Sequence, residues 1–240
     1  DINVQIMEEK EKNIKEKKFP ELPEVKEKKK INYIVTFLFI LIFLYSRMIG
    51  LIMDKLKIQT DINQEYIISI IMSAVASIIL YLVLKETLKR DIKYYVKNFK
   101  KYFKYGVCVL FIFGIVEMIV GGIILLVIGN KSDNEVFLEQ LPYWYQIIYT
   151  IILAPFIEEC MFRGLLKKII KNKYIFLIIS SIFFGAMHVI VTLPMDPLQW
   201  LFVIQYSIVG FALAYNYEKT GNLTSSIVIH MINNIITTIL

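Results

Sequence analysis

The side chains best suited to chemistry lie where a lipid-soluble chain should exclude them. Glu158, Glu159 and Arg163 form the string E-E-C-M-F-R just after Pro155, His188 closes F-F-G-A-M-H, and His230 and Asn234 stand four apart in H-M-I-N-N. All are embedded in apolar runs. A charged side chain near the centre of a bilayer costs about 2.5–3.5 kcal/mol on insertion scales, so such residues are kept mainly where a bundle interior or a wet cavity uses them. On a helix, residues four apart share a face, so Glu159 is spaced to pair with Arg163 while Glu158 turns about 100° away from its neighbour. One carboxylate is neutralised and the other is left available. The same rule puts the imidazole of His230 and the carboxamide of Asn234 on one face of the last helix.

Gathered in one shielded pocket, a carboxylate, two imidazoles and a carboxamide have the parts for hydrolysis by activated water. Glu158 would take a proton from the water and His188 would hold that water in place. His230 and Asn234 would donate hydrogen bonds to the oxyanion of the tetrahedral intermediate, where a dry site makes such donors more effective. No serine or cysteine nucleophile is then required. Glu158, His188 and His230 would equally suit a divalent metal such as zinc with an open position for water, and the sequence leaves both versions open. There is no H-E-x-x-H string, no G-x-S-x-G elbow and no aspartate pair within the spans. Each string has a plainer reading too: a structural ion cluster for Glu158, Glu159 and Arg163, and interhelical hydrogen bonding for His188, His230, Asn233 and Asn234. Arg47 and Glu117, in the first and third spans, are expected to pair structurally.

The elements that must position these groups are membrane helices. The chain has 240 residues, of which 57% are apolar, with 16 Phe and 15 Tyr, and a mean hydropathy of +0.58. That is too apolar for one soluble core, and several stretches approach the roughly 20 apolar residues that a bilayer crossing needs. The pattern predicts an all-α bundle of about seven spans: Tyr33 to Met53, Tyr66 to Leu84, Gly106 to Gly129, Tyr143 to Leu166, Tyr174 to Val191, Leu198 to Tyr215 and Leu223 to Leu240. Residues 1–32 form a Lys- and Glu-rich tail that buries too little apolar surface to fold alone. In 85–105, lysines alternate with aromatic residues, as suits an interfacial segment at anionic headgroups. Thus 33–142 reads as an N-terminal helical region and 143–240 as the helical core carrying the chemistry.

Basic residues fall in the tail, in Lys85 to Lys104, and at Lys167, Lys168, Lys171 and Lys173, which share one side if there are seven spans. Cytoplasmic loops are enriched in Lys and Arg, so this predicts an N-in, C-out topology. The net charge of +6 is therefore read as membrane orientation rather than as a nucleic-acid surface. Cys108 and Cys160, each within an apolar run, indicate neither a disulfide framework nor a paired-cysteine metal site. Depth agrees for two of the site residues: at 1.5 Å per residue, Glu158 and His230 each lie roughly 12 Å from their basic-side helix ends, whereas His188 comes out at roughly 21 Å.

Taken together, E-E-x-x-x-R at Glu158 to Arg163, F-x-x-x-H at Phe184 to His188 and H-x-x-x-N at His230 to Asn234 resemble the three motifs of the CAAX-protease and bacteriocin-processing family of intramembrane endopeptidases, also called the Abi family. The resemblance covers Tyr143 to Leu240. It implies that Glu158 is similar to the family's catalytic glutamate, Glu159 and Arg163 to its supporting pair, and His188, His230 and Asn234 to its remaining site residues. It also implies a membrane-associated peptide or protein substrate, with either a glutamate-activated water or a metal as the hydrolytic device. Bacterial relatives are associated with bacteriocin self-immunity, peptide maturation and surface-protein display. The Lys- and Ile-rich composition points to a bacterial plasma membrane. A scaffold or immunity factor that binds without cutting is the non-enzymatic alternative.

Overall fold

In lipid the backbone has no water to satisfy it, so a spanning chain must close its hydrogen bonds internally. The computed structural model describes residues 19–26, 29–45, 62–192 and 196–239, and every regular element among them is helical. In chain order these are α1 (Lys30–Tyr45), α2 (Ile62–Lys97), α3 (Phe99–Ile128), the short α4 (Asp133–Glu139), α5 (Tyr143–Ile169), α6 (Lys173–Ile190), α7 (Phe202–Thr220), which a 3₁₀ turn at Pro197–Leu201 leads into, and α8 (Leu223–Ile239). The helical class expected from hydropathy is the class observed.

The expected count of about seven spans is not confirmed. Among the described residues five helices are long and apolar enough to cross a membrane: Asn63–Lys97, Phe99–Ile128, Tyr143–Ile169, Lys173–Ile190 and Pro197–Thr220. Lys30–Leu41 is a shorter apolar helix. α8 has 17 residues, below the roughly 20 of a full crossing. The remainder of the first expected span lies outside the described residues, and so does Arg47. Glu117, expected to pair with Arg47, accepts a short hydrogen bond from the carboxamide of Gln205 on α7.

The basic segment 85–105 is not an element of its own. Lysines do not break a helix, and α2 runs straight through them to Lys97. Asn98 alone makes the break: its backbone N–H donates to the Tyr94 and Tyr95 carbonyls at 3.1 and 3.2 Å, and its own carbonyl accepts from Lys101 and Tyr102 to begin α3. Its side-chain amide also donates to the Tyr94 carbonyl, at 3.0 Å.

Several contacts gather the basic clusters at one end of the bundle. Arg90 Nη2 pairs with the buried Asp91 carboxylate at 2.7 Å, and Arg90 Nη1 donates to the Pro23 carbonyl at 3.1 Å. Phe19 stacks on Tyr102 with ring centroids 4.9 Å apart. The described part of the tail, 19–26, therefore has no helix or strand but lies against the bundle. Lys167 pairs with Glu218, and Lys168 Nζ sits 5.6 Å from the Tyr33 ring. At this same end Asp91 Oδ2 accepts the Leu223 N–H at 2.7 Å, and Asn222 Oδ1 accepts that of Ser225 at 2.9 Å. Both satisfy donors that the first turn of α8 would otherwise leave orphaned. At the opposite end Ser132 and Tyr206 share a hydroxyl–hydroxyl bond of 2.6 Å.

α5 runs through the middle. Its buried Ile157, Met161, Phe162 and Leu165 join Leu80 and Leu84 of α2, Leu213 of α7 and Ile229 of α8 in one apolar core.

Candidate active site

α5 is not uniformly α-helical. Gln146–Leu153 and Cys160–Leu165 are π-helical, and Glu158 and Glu159 sit at the end of the α turn between them. In a π stretch each N–H reaches back five residues rather than four, a local form common at functional sites. Here Ala154 N–H donates to the Tyr149 carbonyl. The next carbonyl, that of Thr150, would be paired with residue 155, but Pro155 has no N–H. Asn234 of α8 fills the gap, its Nδ2 donating to the Thr150 carbonyl at 2.8 Å.

The two glutamates are treated very differently. Arg163 Nη1 donates to Glu159 Oε1 at 2.9 Å, and Nη2 donates to the Gly210 carbonyl of α7 at 2.6 Å. The guanidinium carbon also lies 5.1 Å from the Phe184 ring centroid. The close seat of α6 on α7 depends on Gly210, where a Cβ would come within 2.9 Å of Phe184 Cβ. His230 Nδ1–H donates to the same Glu159 Oε1, at 3.0 Å. Glu159 is thus fixed by two donors, and neither it nor Arg163 retains any exposed surface. Glu158 keeps 9% of its surface. Its Oε2 has no hydrogen-bond partner among the described residues and lies 3.9 Å from His230 Nε2. A single water can touch two acceptors at that separation.

His188 packs against Phe184. Its Nδ1 is 2.8 Å from the Phe184 carbonyl, which can only accept, so Nδ1 carries the proton and Nε2 presents a lone pair. The His188 ring lies 4.5 Å from Phe184 and stacks on Tyr206 at 5.0 Å, while His230 lies 5.4 Å from the same Phe184 ring. Both histidines therefore contact one aromatic side chain, Phe184. Gly185 serves backbone approach: a Cβ there would strike the Val203 carbonyl and Ser207 of α7.

As arranged, Glu158, His188 and His230 do not make a metal-binding set. Among the described residues no group of three or more His, Cys, Asp or Glu side chains is placed to hold a metal ion. Glu158 Oε2 and His230 Nε2 face each other at 3.9 Å, while His188 lies against Phe184 and Tyr206.

Three participants escaped sequence reasoning. The Gly210 carbonyl and the Tyr206 ring come from α7, which carries no motif, and a tyrosine in an apolar run gives no signal of its own. The Thr150 carbonyl did have a signal in Pro155, whose missing donor implies an orphan acceptor nearby.

Residues 140–236, which contain all three motifs, match the family described as type II CAAX prenyl endopeptidase, Rce1-like. That match takes in 97 of the 240 residues, from Gln140 into α8, and is a similarity of this part of the chain. It is 24% identical to the UPF0177 protein YbdI of Lactococcus lactis over 104 residues, 43% of this chain and 53% of that protein. To the UPF0177 protein YxdF of the same organism it is 30% identical over 93 residues, 39% of this chain and 48% of that protein. An uncharacterized protein of Mycoplasma capricolum is 32% identical over 96 residues, 39% of this chain and 26% of its own length. The chain spans about half the length of the Lactococcus relatives. No solved structure matches it.

Proposed function

We propose that the protein is an intramembrane endopeptidase that cuts a membrane-associated peptide or protein with a water activated by Glu158. The observation that carries this reading is the asymmetry of the glutamates: Arg163 and His230 hold Glu159, while Glu158 Oε2 faces His230 Nε2 at 3.9 Å with no other partner. A water there meets two proton acceptors. Glu158 takes a proton as the oxygen attacks the scissile carbonyl, and then returns it to the leaving amine. His230 enters as an acceptor because its Nδ1–H is directed at Glu159. It becomes an oxyanion donor when the proton taken by Glu158 crosses to its Nε2, Glu159 balancing the imidazolium charge, and the proton passes back to Glu158 before delivery to the leaving amine. Asn234 has one amide proton on Thr150 and a second for the oxyanion. His188, neutral with Nε2 presented, orients the water or the substrate from its place against Phe184.

The proposed setting is a bacterial plasma membrane, with the basic end in the cytoplasm and in contact with anionic headgroups. About seven spans, N-in and C-out, would place that end so, since cytoplasmic segments are enriched in Lys and Arg. The Lactococcus and Mycoplasma relatives support a bacterial setting, and maturation of a bacteriocin-like peptide fits such a host.

The test is cleavage by the purified full chain in liposomes, scanned over a library of membrane-inserted peptides. Glu158→Ala should abolish cleavage with the helical circular dichroism unchanged. Cleavage at the wild-type rate by that variant would overturn the reading.

A further inference from the structure

A second polar cluster lies on α3, α4 and α7, apart from the glutamate pair. A cavity of about 160 Å³ opens there, with Glu117, Met118 and Leu125 of α3, Glu135 of α4, and Phe202 and Gln205 of α7 among its walls. Gln205 is 8% exposed. It can lie against α3 because Gly121 has no side chain: a Cβ there would come within 2.7 Å of the carboxamide. Its Nε2 donates to Glu117, and its Oε1 is buried without a partner. The cavity is therefore lined by two carboxylate residues, beside a buried amide oxygen that has no partner. Lys131 also borders it, but its ammonium is 2.6 Å from Glu139 Oε1 on the exposed face.

We propose that this cavity is a subsite for the side-chain ammonium of a lysine in the substrate. An ammonium has three N–H donors and no acceptor, matching Glu117, Glu135 and the free Gln205 oxygen. Met118, Leu125 and Phe202 supply the apolar wall along which a lysine stem is buried while its head is paired. A guanidinium is a flat fork seeking two parallel oxygens, and a quaternary ammonium seeks an aromatic cage, whereas the cavity offers one phenyl ring. A bare metal ion is disfavoured, since no three His, Cys, Asp or Glu side chains are placed to hold one among the described residues. The position suits a substrate contact: Gln205 adjoins Tyr206, whose ring stacks on His188. The word substrate rests on the endopeptidase reading; the ammonium site does not.

The test uses the full chain in phosphatidylcholine nanodiscs with an amine-free buffer and n-butylammonium, which is the lysine side chain as a free molecule. Saturable stabilisation by n-butylammonium is expected, with no effect of n-butanol or of sodium chloride at equal ionic strength. Glu117→Gln and Glu135→Gln should each weaken it at least tenfold. Glu135 lies on a short surface helix, so its variant carries the test if Glu117→Gln does not fold. An equal response to sodium, or undiminished binding in a folded Glu135→Gln, overturns the site. Full competition by phosphatidylethanolamine in the nanodisc would assign the cavity to lipid and overturn the substrate role. Once a cleaved peptide is in hand, replacing its lysine by norleucine should lower kcat/KM at least tenfold, and Glu135→Gln should erase that difference. Glu158→Ala should lose cleavage and keep n-butylammonium binding, which separates failure of the protease reading from failure of the subsite.

Discussion

α3 and α5 are both long enough to cross a bilayer, yet they solve opposite problems. In the most apolar stretch of α3 only 11% of residues are buried within the protein, against 50% in α5. α3 turns most of its surface to lipid and keeps its one glutamate, Glu117, against Gln205. α5 carries two carboxylates and a guanidinium, and other helices supply their partners: a carbonyl of α7 that accepts from Arg163, and an imidazole of α8 that donates to Glu159. Charge is tolerated inside this bundle where neighbouring helices supply its partners, and Glu158 is the member of that group that makes no hydrogen bond, His230 Nε2 standing 3.9 Å away.

The most severe test of this contrast is chemical. Glu158→Gln should lower the cleavage rate by about 10²–10⁴, the range ascribed to a general base, in single-turnover assays with the fold retained. Arg163→Ala comes next, because it strands the Glu159 carboxylate in the core; removing one partner of a buried pair destabilises by about 3–5 kcal/mol. Unfolding in mixed micelles should register that loss, and Arg163→Lys should restore little, since one ammonium cannot replace the fork that joins Glu159 to Gly210. Glycine scanning compares the helices directly. Gly185→Ala should cost about 1–3 kcal/mol through overpacking against α7, whereas Gly114→Ala on α3, which has nothing within 4 Å, should stay within about 0.5 kcal/mol.

Two smaller effects sharpen the picture away from α5. Tyr206→Phe removes the bond to Ser132 but keeps the ring on His188, so the loss should be about 0.5–1.5 kcal/mol. The chain has two histidines, so ¹³C-histidine NMR can check that Tyr206→Leu moves His188 and leaves His230 in place. The smallest concerns Glu135, outside the spans, whose carboxyl is raised above its ordinary value chiefly by burial, Glu117 and Glu139 adding to this and Lys131 opposing it. A raised folded-state value means that stability present at low pH is lost as pH rises through that value. Glu135→Gln should therefore raise the unfolding temperature at pH 7 and leave it unchanged near pH 4.

Much of this was legible in the residues themselves. The helical class follows from the apolar runs, and the Glu159–Arg163 pair follows from i, i+4 spacing, which persists even across the π stretch. The continuity of α2 through Lys85 to Lys97 was not legible, because a change from apolar to basic marks a change of solvent rather than a change of backbone. Nor was the contact of both histidines with the Phe184 ring, since spacing along a helix says nothing of what an adjacent helix inserts. Gly210 acts through its carbonyl, which every residue has, so no sequence pattern distinguishes it.

The bond from Asn234 to Thr150 also has a mechanical meaning. Along α5 the absent N–H of Pro155 leaves a socket at one carbonyl, and Asn234 is the peg that enters it. A slip of α8 by one turn, about 5.4 Å, would withdraw the peg and face it with a carbonyl already engaged by its own helix. The last helix is thereby indexed lengthwise, and His230, one turn before the peg, has a single stopping place beside the glutamates.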